Sequence, residues 1–415
     1  MRQTGILPVY FNSTHRRARG PPAPQAEMPA LLAAMTNDEG SSTDRMTDEP
    51  QHSEPGFAIH SSLNEGVISA PGEVGELISH IAPHDRVAID TEADSLHCYR
   101  EKLCLLQVSL PEGDFLVDPL AGRDLSALAS ALSRKEIVLH GADYDLRLLR
   151  RALDFRPARV FDTMIAARLL GAREFSYAAL VEKYFGIELA KGSQKANWGI
   201  RPLSEKMEEY ARNDTHYLLA LAEKLEKQLM EHDRLDWFQQ TCERAMVSAA
   251  IDRERDMEEI WRIRGSGLIR GREAAVLRAL WYWRDREAQR FDRPSFHVLR
   301  NDQLLEIARA SVRGETPQFR HFSERRAHDF RTTIEDALAL KEEEWPETRR
   351  RRGVRPTQEM ERAAEAMRKR RDQAAHELKI EPSFIAPRAT IDAIAADGAC
   401  AERLLVSWQR TLLGL

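Results

Sequence analysis

The sequence predicts a mixed α/β domain followed by an all-α half, and three observations carry that reading. From Gly56 to about Met230, short apolar runs alternate with stretches of helical period. Three of those runs, VAIDTE at 87–92, LCLLQVSL at 103–110 and DFLVD at 114–118, read as a β-meander, with Pro111, Glu112 and Gly113 as hairpin punctuation. After Met230 the strand signals vanish, and Trp237, Met246, Trp261, Trp281 and Trp283 lie in helical patterns over residues 231–415.

The 415 residues allow two or three domains with ample core. A net charge of -5 argues against indiscriminate coating of nucleic acid, while leaving room for a local basic groove. Cys98, Cys104, Cys242 and Cys400 form no CxxC pair and sit at no zinc spacing, which fits reduced thiols in a cytoplasmic protein. No apolar run approaches the roughly 18 to 20 residues that would span a bilayer, so no membrane partner is expected.

Residues 1–55 mix Pro, Ser, Thr, Gly, Arg and acids without period, so a disordered extension is expected there. The first 26 residues carry Arg2, Arg16, Arg17 and Arg19 and no acid, but they lack amphipathic period and a secretory apolar core; we read them as a non-functional tail. A helix at 73–81 precedes the VAIDTE strand. Asp90 and Glu92 are two apart, so a strand projects both from one face with about 6 to 7 Å of rise between them. Two hard anionic oxygens on one face can hold Mg²⁺ or Mn²⁺, and the metal offsets their repulsion. With 66 acids in the chain, acid-x-acid arises by chance on the order of ten times, so the pair alone is a weak motif.

A helix at 125–132, a strand at 136–139 and a helix at 144–152 then form an α-β-α progression, which makes the sheet mixed, with helices packed over it. In VLHGADYDLRLL, residues 138–149, a strand end meets a helix start carrying Asp143 and Asp145. The helix dipole favours acids in a first turn, so capping explains either one. Only one of the two can point at a site fixed by the strand, and His140 reads equally well as structural. The segment 204–229 reads as one long helix in which Tyr210 and Asp214, four apart, share a face. Met207, Ala211, Leu218, Leu221 and Leu225 give it an apolar stripe for packing on the sheet. An acid beside such a stripe is costly to bury unless it is paired or bound to metal.

With these stretches in order, the chain resembles the tyrosine-bearing branch of the DEDD 3′–5′ exonuclease superfamily, and within it the ribonuclease D family. DTEADSLHCYREKLCLLQ looks like the first exonuclease motif, HGADYDLRLL the second and YARNDTHYL the third; FDTMIAARLLG at 161–171 and WGIRPLSEKMEEYA at 198–211 resemble the segments between the last two. Asn197 and Gly199 depart from that pattern, where Asp and Ser are usual. The resemblance implies an RNase H-like fold and makes Asp90, Glu92, Asp145 and Asp214 the metal-site acids, leaving Asp143 unassigned, with Tyr210 orienting the attacking water. Two divalent ions, Mg²⁺ or Mn²⁺, would divide the work of activating water and stabilising the leaving oxygen. Asp90 would bridge them, Glu92 and Asp214 would complete one ion's shell, and Asp145 would hold the other.

GLIRGREAAVLRALWYWRDREAQRFDRPSFHVLRNDQLLEIAR, residues 267–309, resembles the helicase and RNase D C-terminal (HRDC) domain. Residues 369–395 repeat its order: Arg284, Asp285 and Ala288 match Arg371, Asp372 and Ala375 at a register of 87, and Ile307 matches Ile394 at the same spacing. The expected domains are therefore a tail at 1–55, the exonuclease at 56–232, an HRDC domain with connecting helices at 233–345, and a divergent second HRDC-like domain at 346–415. Basic runs at 349–355 and 368–371 are candidates for RNA contact.

The resemblance implies a monomeric 3′–5′ exoribonuclease that releases nucleoside 5′-monophosphates and trims the 3′ ends of tRNA precursors and other small structured RNAs. The alternative is a DNA 3′–5′ exonuclease of proofreading type, since the same acids hydrolyse either polymer. A non-catalytic nucleic-acid-binding scaffold predicts the loss of metal acids, and all of them are present.

Overall fold

Val87, Ala88 and Ile89 expose nothing to solvent, because the strand they form lies inside a six-stranded sheet covered on both faces. The computed structural model describes residues 66–190, 192–251, 256–315, 319, 322–347 and 356–415; the expected tail and the basic run at 349–355 lie outside the described residues. The first part runs β1 (Val67–Ile68), α1 (Pro71–Ile81), β2 (Arg86–Ala93), β3 (Leu103–Leu110), β4 (Gly113–Val117), α2 (Ser126–Ser133), β5 (Glu136–Leu139), α3 (Asp143–Leu153), β6 (Arg159–Asp162), α4 (Thr163–Leu169) and α5 (Tyr177–Phe185). Three more helices complete it: α6 (Glu205–His216), α7 (Leu218–Glu231) and α8 (Leu235–Ala250).

The sheet is mixed, in the order β1-β4-β3-β2-β5-β6. The meander β2-β3-β4 is antiparallel, and Leu110 pairs with Gly113 across a two-residue turn. The other pairings, β1 to β4, β2 to β5 and β5 to β6, are parallel. Strand period sorts the core. Val87, Ile89, Ile137 and Leu139 pack against α1, α2 and α3, whereas Ala88 and Val138 face α4, α5 and α7. The short strands β1 and β6 have no counterpart in the sequence reading; two and four residues are too few to show a period.

The long helix expected at 204–229 is two helices. Tyr217 separates α6 from α7, and its N–H donates to the Tyr177 hydroxyl at 3.1 Å. That hydroxyl in turn donates to the Asn213 carbonyl at 3.1 Å, so a side chain from α5 satisfies the backbone groups at the break.

The remaining helices are α9 (Gly271–Arg290), α10 (Ser295–Val298), α11 (Asn301–Val312), α12 (Glu324–Ala339), α13 (Gln358–Leu378), α14 (Pro382–Ile385), α15 (Arg388–Ala396), α16 (Ala401–Leu404) and α17 (Ser407–Leu413). The long-short-long order of α9 to α11 recurs in α13 to α15, with α14 and α15 each starting 87 residues after α10 and α11. The two sets are packed differently. Helices α9, α11 and α12 enclose a core of their own around Trp261, Trp283 and Phe330. Ile385, Ile391, Trp408 and Leu413 instead join the core formed by α4, α5 and α7. Trp408 stacks on Trp237 of α8 at 5.0 Å, and a Cβ at Gly171 would stand 2.4 Å from the Lys379 carbonyl, so only glycine permits this approach.

Candidate active site

At the carboxy end of β2 the ladder to β3 is regular as far as Glu92 and shifts register between Glu92 and Ala93. Asp90 and Glu92 thus leave the sheet on the face covered by α6, opposite Gln107 and Leu105 of β3. Helix α6 is capped by Ser204, whose hydroxyl accepts from the Met207 N–H. It lies across β3, β4 and β2, and the Ser109 hydroxyl ties it down by donating to Thr215 Oγ1 at 2.7 Å. The result is a cluster in which carboxylate oxygens of Asp90, Glu92 and Asp214 all lie within 4.8 Å of one another.

Asp145 arrives from the opposite face of the sheet, in the first turn of α3. It is buried and accepts a hydrogen bond from the Thr91 hydroxyl, the side chain between the two β2 acids. Asp145 is not one of the three converging groups, yet its charge acts on all of them. Asp143, two residues earlier, points to solvent and pairs with Arg147 at 2.9 Å. Tyr210, one turn before Asp214, packs its ring against buried Trp198 at 6.2 Å between centroids. Its hydroxyl is close enough to Asp214 for a hydrogen bond between them to influence both groups.

Crowding and burial disfavour ionisation throughout. Burial, then the charges of Asp145, Asp214 and Glu92, holds Asp90 well above the usual carboxylate range. Burial and the same neighbouring acids push Glu92 up to about 9. Burial raises Asp214 to about 7 against the lowering effect of Tyr210, and raises Asp145 to about 6 against the bond from Thr91. No arginine or lysine figures among the leading influences on these acids. Hard oxygen donors gathered with no balancing cation among the described residues that act on them fit a divalent ion of the Mg²⁺ or Mn²⁺ kind.

Free of metal, the folded state holds protons that the unfolded chain has released, so stability is greatest below the unfolded carboxylate pKa near about 4. It falls as pH rises through about 6, 7 and 9, the values of Asp145, Asp214 and Glu92. Bound cation reverses that loss because it takes the ionised ligands. The rise in melting temperature on replacing chelator with Mn²⁺ is therefore expected to grow from about pH 5 to about pH 9; a rise that stays the same across that range contradicts the cluster as a metal site.

Asp162, at the end of β6, was missed by the sequence reading. Its Oδ1 accepts from Gly141 N at 3.0 Å and Met164 N at 2.9 Å, and its Oδ2 accepts from Ala142 N at 2.9 Å. One buried carboxylate thus caps α4 and also fixes the turn that launches α3 and Asp145. The available signal was an acid at a strand end directly before a helix, as in FDTMIAARLLG. His140 belongs to the same corner: its Nδ1 lies 2.9 Å from Thr163 Oγ1, which donates to the Leu139 carbonyl at 3.0 Å. Thr163 therefore accepts the imidazole N–H, and burial lowers the pKa of His140. Of the two departures from the family pattern, Asn197 accepts from Gly199 N at 3.1 Å and so shapes the turn around Trp198.

Known proteins resemble both halves of the chain. A family described as 3′–5′ exonuclease matches residues 67–230, and one described as HRDC domain matches residues 273–313. The chain is 33% identical over 248 residues to a ribonuclease D of Xanthomonas oryzae pv. oryzae, covering 58% of this chain and 67% of that one. It is 28% identical over 363 residues to a ribonuclease D of Gluconacetobacter diazotrophicus, covering 84% and 90% respectively. Among solved structures, Escherichia coli RNase D, an exoribonuclease involved in structured RNA processing, shares the fold with a TM-score of 0.64 at 23% identity, over 85% of this chain and 99% of that one.

Proposed function

The chain belongs to the ribonuclease D family, and on that premise we propose that Asp90, Glu92, Asp145 and Asp214 hold two divalent cations where the 3′-terminal phosphodiester of RNA is cut. The enzyme is a 3′–5′ exoribonuclease, a hydrolase that depends on metal and acts on RNA. The observation that carries the assignment of residues is the convergence of Asp90, Glu92 and Asp214 within 4.8 Å at the end of β2.

What bound cations supply at this place is a lowered pKa for water and charge neutralisation at the leaving oxygen. The chain's own groups do the aiming. Asp90 and Glu92 approach from one face of the sheet and Asp145 from the other, so ligands held on three elements surround the same strand end. Burial pushes the Tyr210 phenol up, so it stays protonated, directs its O–H toward Asp214, and keeps a lone pair to accept from the attacking water. A bond forms between that water oxygen and the terminal phosphorus while the bond to the 3′ oxygen of the preceding nucleotide breaks. A nucleoside 5′-monophosphate leaves, and the RNA is shorter by one residue with a new 3′ hydroxyl.

As substrates we assign the 3′ trailers of tRNA precursors and other small structured RNAs. The enzyme acts as a monomer in the cytoplasm, where its buried thiols stay reduced. Supporting this is the helical half, part of which matches the HRDC family, a fold suited to gripping RNA beyond the reacting end. Purified protein incubated with 3′-extended tRNA and with single-stranded DNA of the same sequence, in Mg²⁺, Mn²⁺ or chelator, provides the test. Stepwise 5′-monophosphate release from RNA, with metal only, is expected; preference for the DNA overturns the RNA assignment, and activity in chelator overturns the metal site.

A further inference from the structure

The chain between β2 and β3, residues 94–102, starts two residues after Glu92 and has no strand ladder of its own. Side chains hold it instead. Buried Asp94 accepts from Lys102 N at 2.8 Å and Cys98 Sγ at 3.0 Å and pairs with Lys102 Nζ at 3.2 Å, which closes the loop on itself. On the nuclease side, Glu101 accepts from the Tyr144 hydroxyl at 2.9 Å and pairs with Arg151, so the loop is fastened to α3 next to Asp145. The third set of ties reaches the helical half. Tyr99 donates its hydroxyl to Asp285 Oδ2 of α9 at 2.8 Å and its N–H to Asp292 Oδ1 at 3.1 Å. Its ring packs on the core around Trp261 and Trp283. Among the described residues it is the one member of that apolar cluster that precedes Ile260.

We propose that Tyr99 is a positioning residue: by anchoring the loop 94–102 to Asp285 and Asp292, it lets the first helical module hold Glu92 firmly in place. The β2 to β3 ladder is regular through Glu92 and shifts register between Glu92 and Ala93, so Glu92 is the last residue of β2 in regular pairing and the chain after it takes its path from other ties. What the loop is tied to then governs how firmly Glu92 is held at this end of the strand. One tie runs to α3, which carries Asp145, and the other to α9, so both must hold for the acids to keep their spacing. Asp292 itself sits in the left-handed region at φ +44, where a non-glycine residue needs compensating contacts, and Tyr99 N–H supplies one. The module therefore contributes to turnover even when the RNA is too short to touch it.

This inference rests on Glu92 being a metal-site acid, and the test separates the two. On a short single-stranded RNA oligomer, Tyr99→Phe is expected to lower kcat roughly three- to tenfold with KM unchanged, the weight of one hydrogen bond. Asp285→Ala is expected to match it, Asp285→Asn to retain most activity because an acceptor oxygen remains, and the double variant Tyr99→Phe with Asp285→Ala to cost no more than either single change. Melting temperatures within a few degrees of the parent confirm folding, and amide exchange over residues 97–102 is expected to quicken in Tyr99→Phe while β2 and β3 stay protected. An unchanged kcat, a raised KM at constant kcat, additive losses, or unaltered loop exchange each overturns the proposal. Glu92→Gln, measured on the same oligomer, reports the metal-site reading by itself: activity retained there rejects that reading, whatever Tyr99 does.

Discussion

Asp90→Asn is expected to reduce turnover by about a thousandfold or more while leaving RNA binding and the fold in place. Asp90 is the acid on which the other three act most: burial and then the charges of Asp145, Asp214 and Glu92 all raise its pKa. A group in that position is destabilising to a metal-free fold and useful only when a cation shares it. The amide keeps the shape, removes the charge, and binds a hard cation poorly, so the loss falls on kcat. The same substitution relieves crowding, and without metal the variant is expected to melt at or above the parent temperature, because a buried acid whose ionisation the site opposes has been replaced by a neutral amide. Steady-state rates, a binding titration with labelled RNA in chelator, and calorimetry together check these statements. A rate within tenfold of the parent contradicts the assignment of Asp90, and loss of binding or of folding shows that the residue serves the scaffold.

Tyr210→Phe is expected to lower kcat by roughly ten- to a hundredfold, the range for losing a hydrogen bond to a charged partner, and to leave KM nearly unchanged. The ring remains packed against Trp198, so the position of α6 and of Asp214 is kept and only the hydroxyl disappears. The loss is incomplete because the carboxylates still hold the cations. A second consequence concerns pH. In the metal-free protein the Tyr210 bond lowers the pKa of Asp214, which stands at about 7; without the hydroxyl that pKa rises, so more metal is needed for half-maximal rate near neutral pH than at higher pH. An unchanged rate identifies the tyrosine as core alone, and a fall as large as that of Asp90→Asn makes it more than a positioning group.

Much of the site is legible in the chain because its parts obey local periods. The alternation of VAIDTE places Asp90 and Glu92 on one face, and the four-residue interval from Tyr210 to Asp214 stacks phenol and carboxylate, whatever the rest of the molecule does. The mixed sheet follows from the meander and the α-β-α progression in the same way. What escapes local reading is long-range. The break at Tyr217 depends on a hydroxyl supplied by Tyr177, forty residues earlier, so no helical pattern announces it. Asp162 acts on Gly141 and Ala142 across the β5 to β6 pairing. Asp145 and Asp143 look alike as first-turn acids, and only the approach of Thr91 shows which is turned inward. The 87-residue recurrence was visible, but the second set of helices shares its core with α4, α5 and α7, a burial that no repeat can convey.

Anomalous diffraction from crystals grown with Mn²⁺ and a short RNA carrying a non-hydrolysable terminal linkage locates the bound cations directly. The four-acid metal site predicts one manganese peak among the carboxylates of Asp90, Glu92 and Asp214 and a second beside Asp145, with both lost in Asp90→Asn. Peaks elsewhere on the chain, or peaks that persist unchanged in Asp90→Asn, would contradict it.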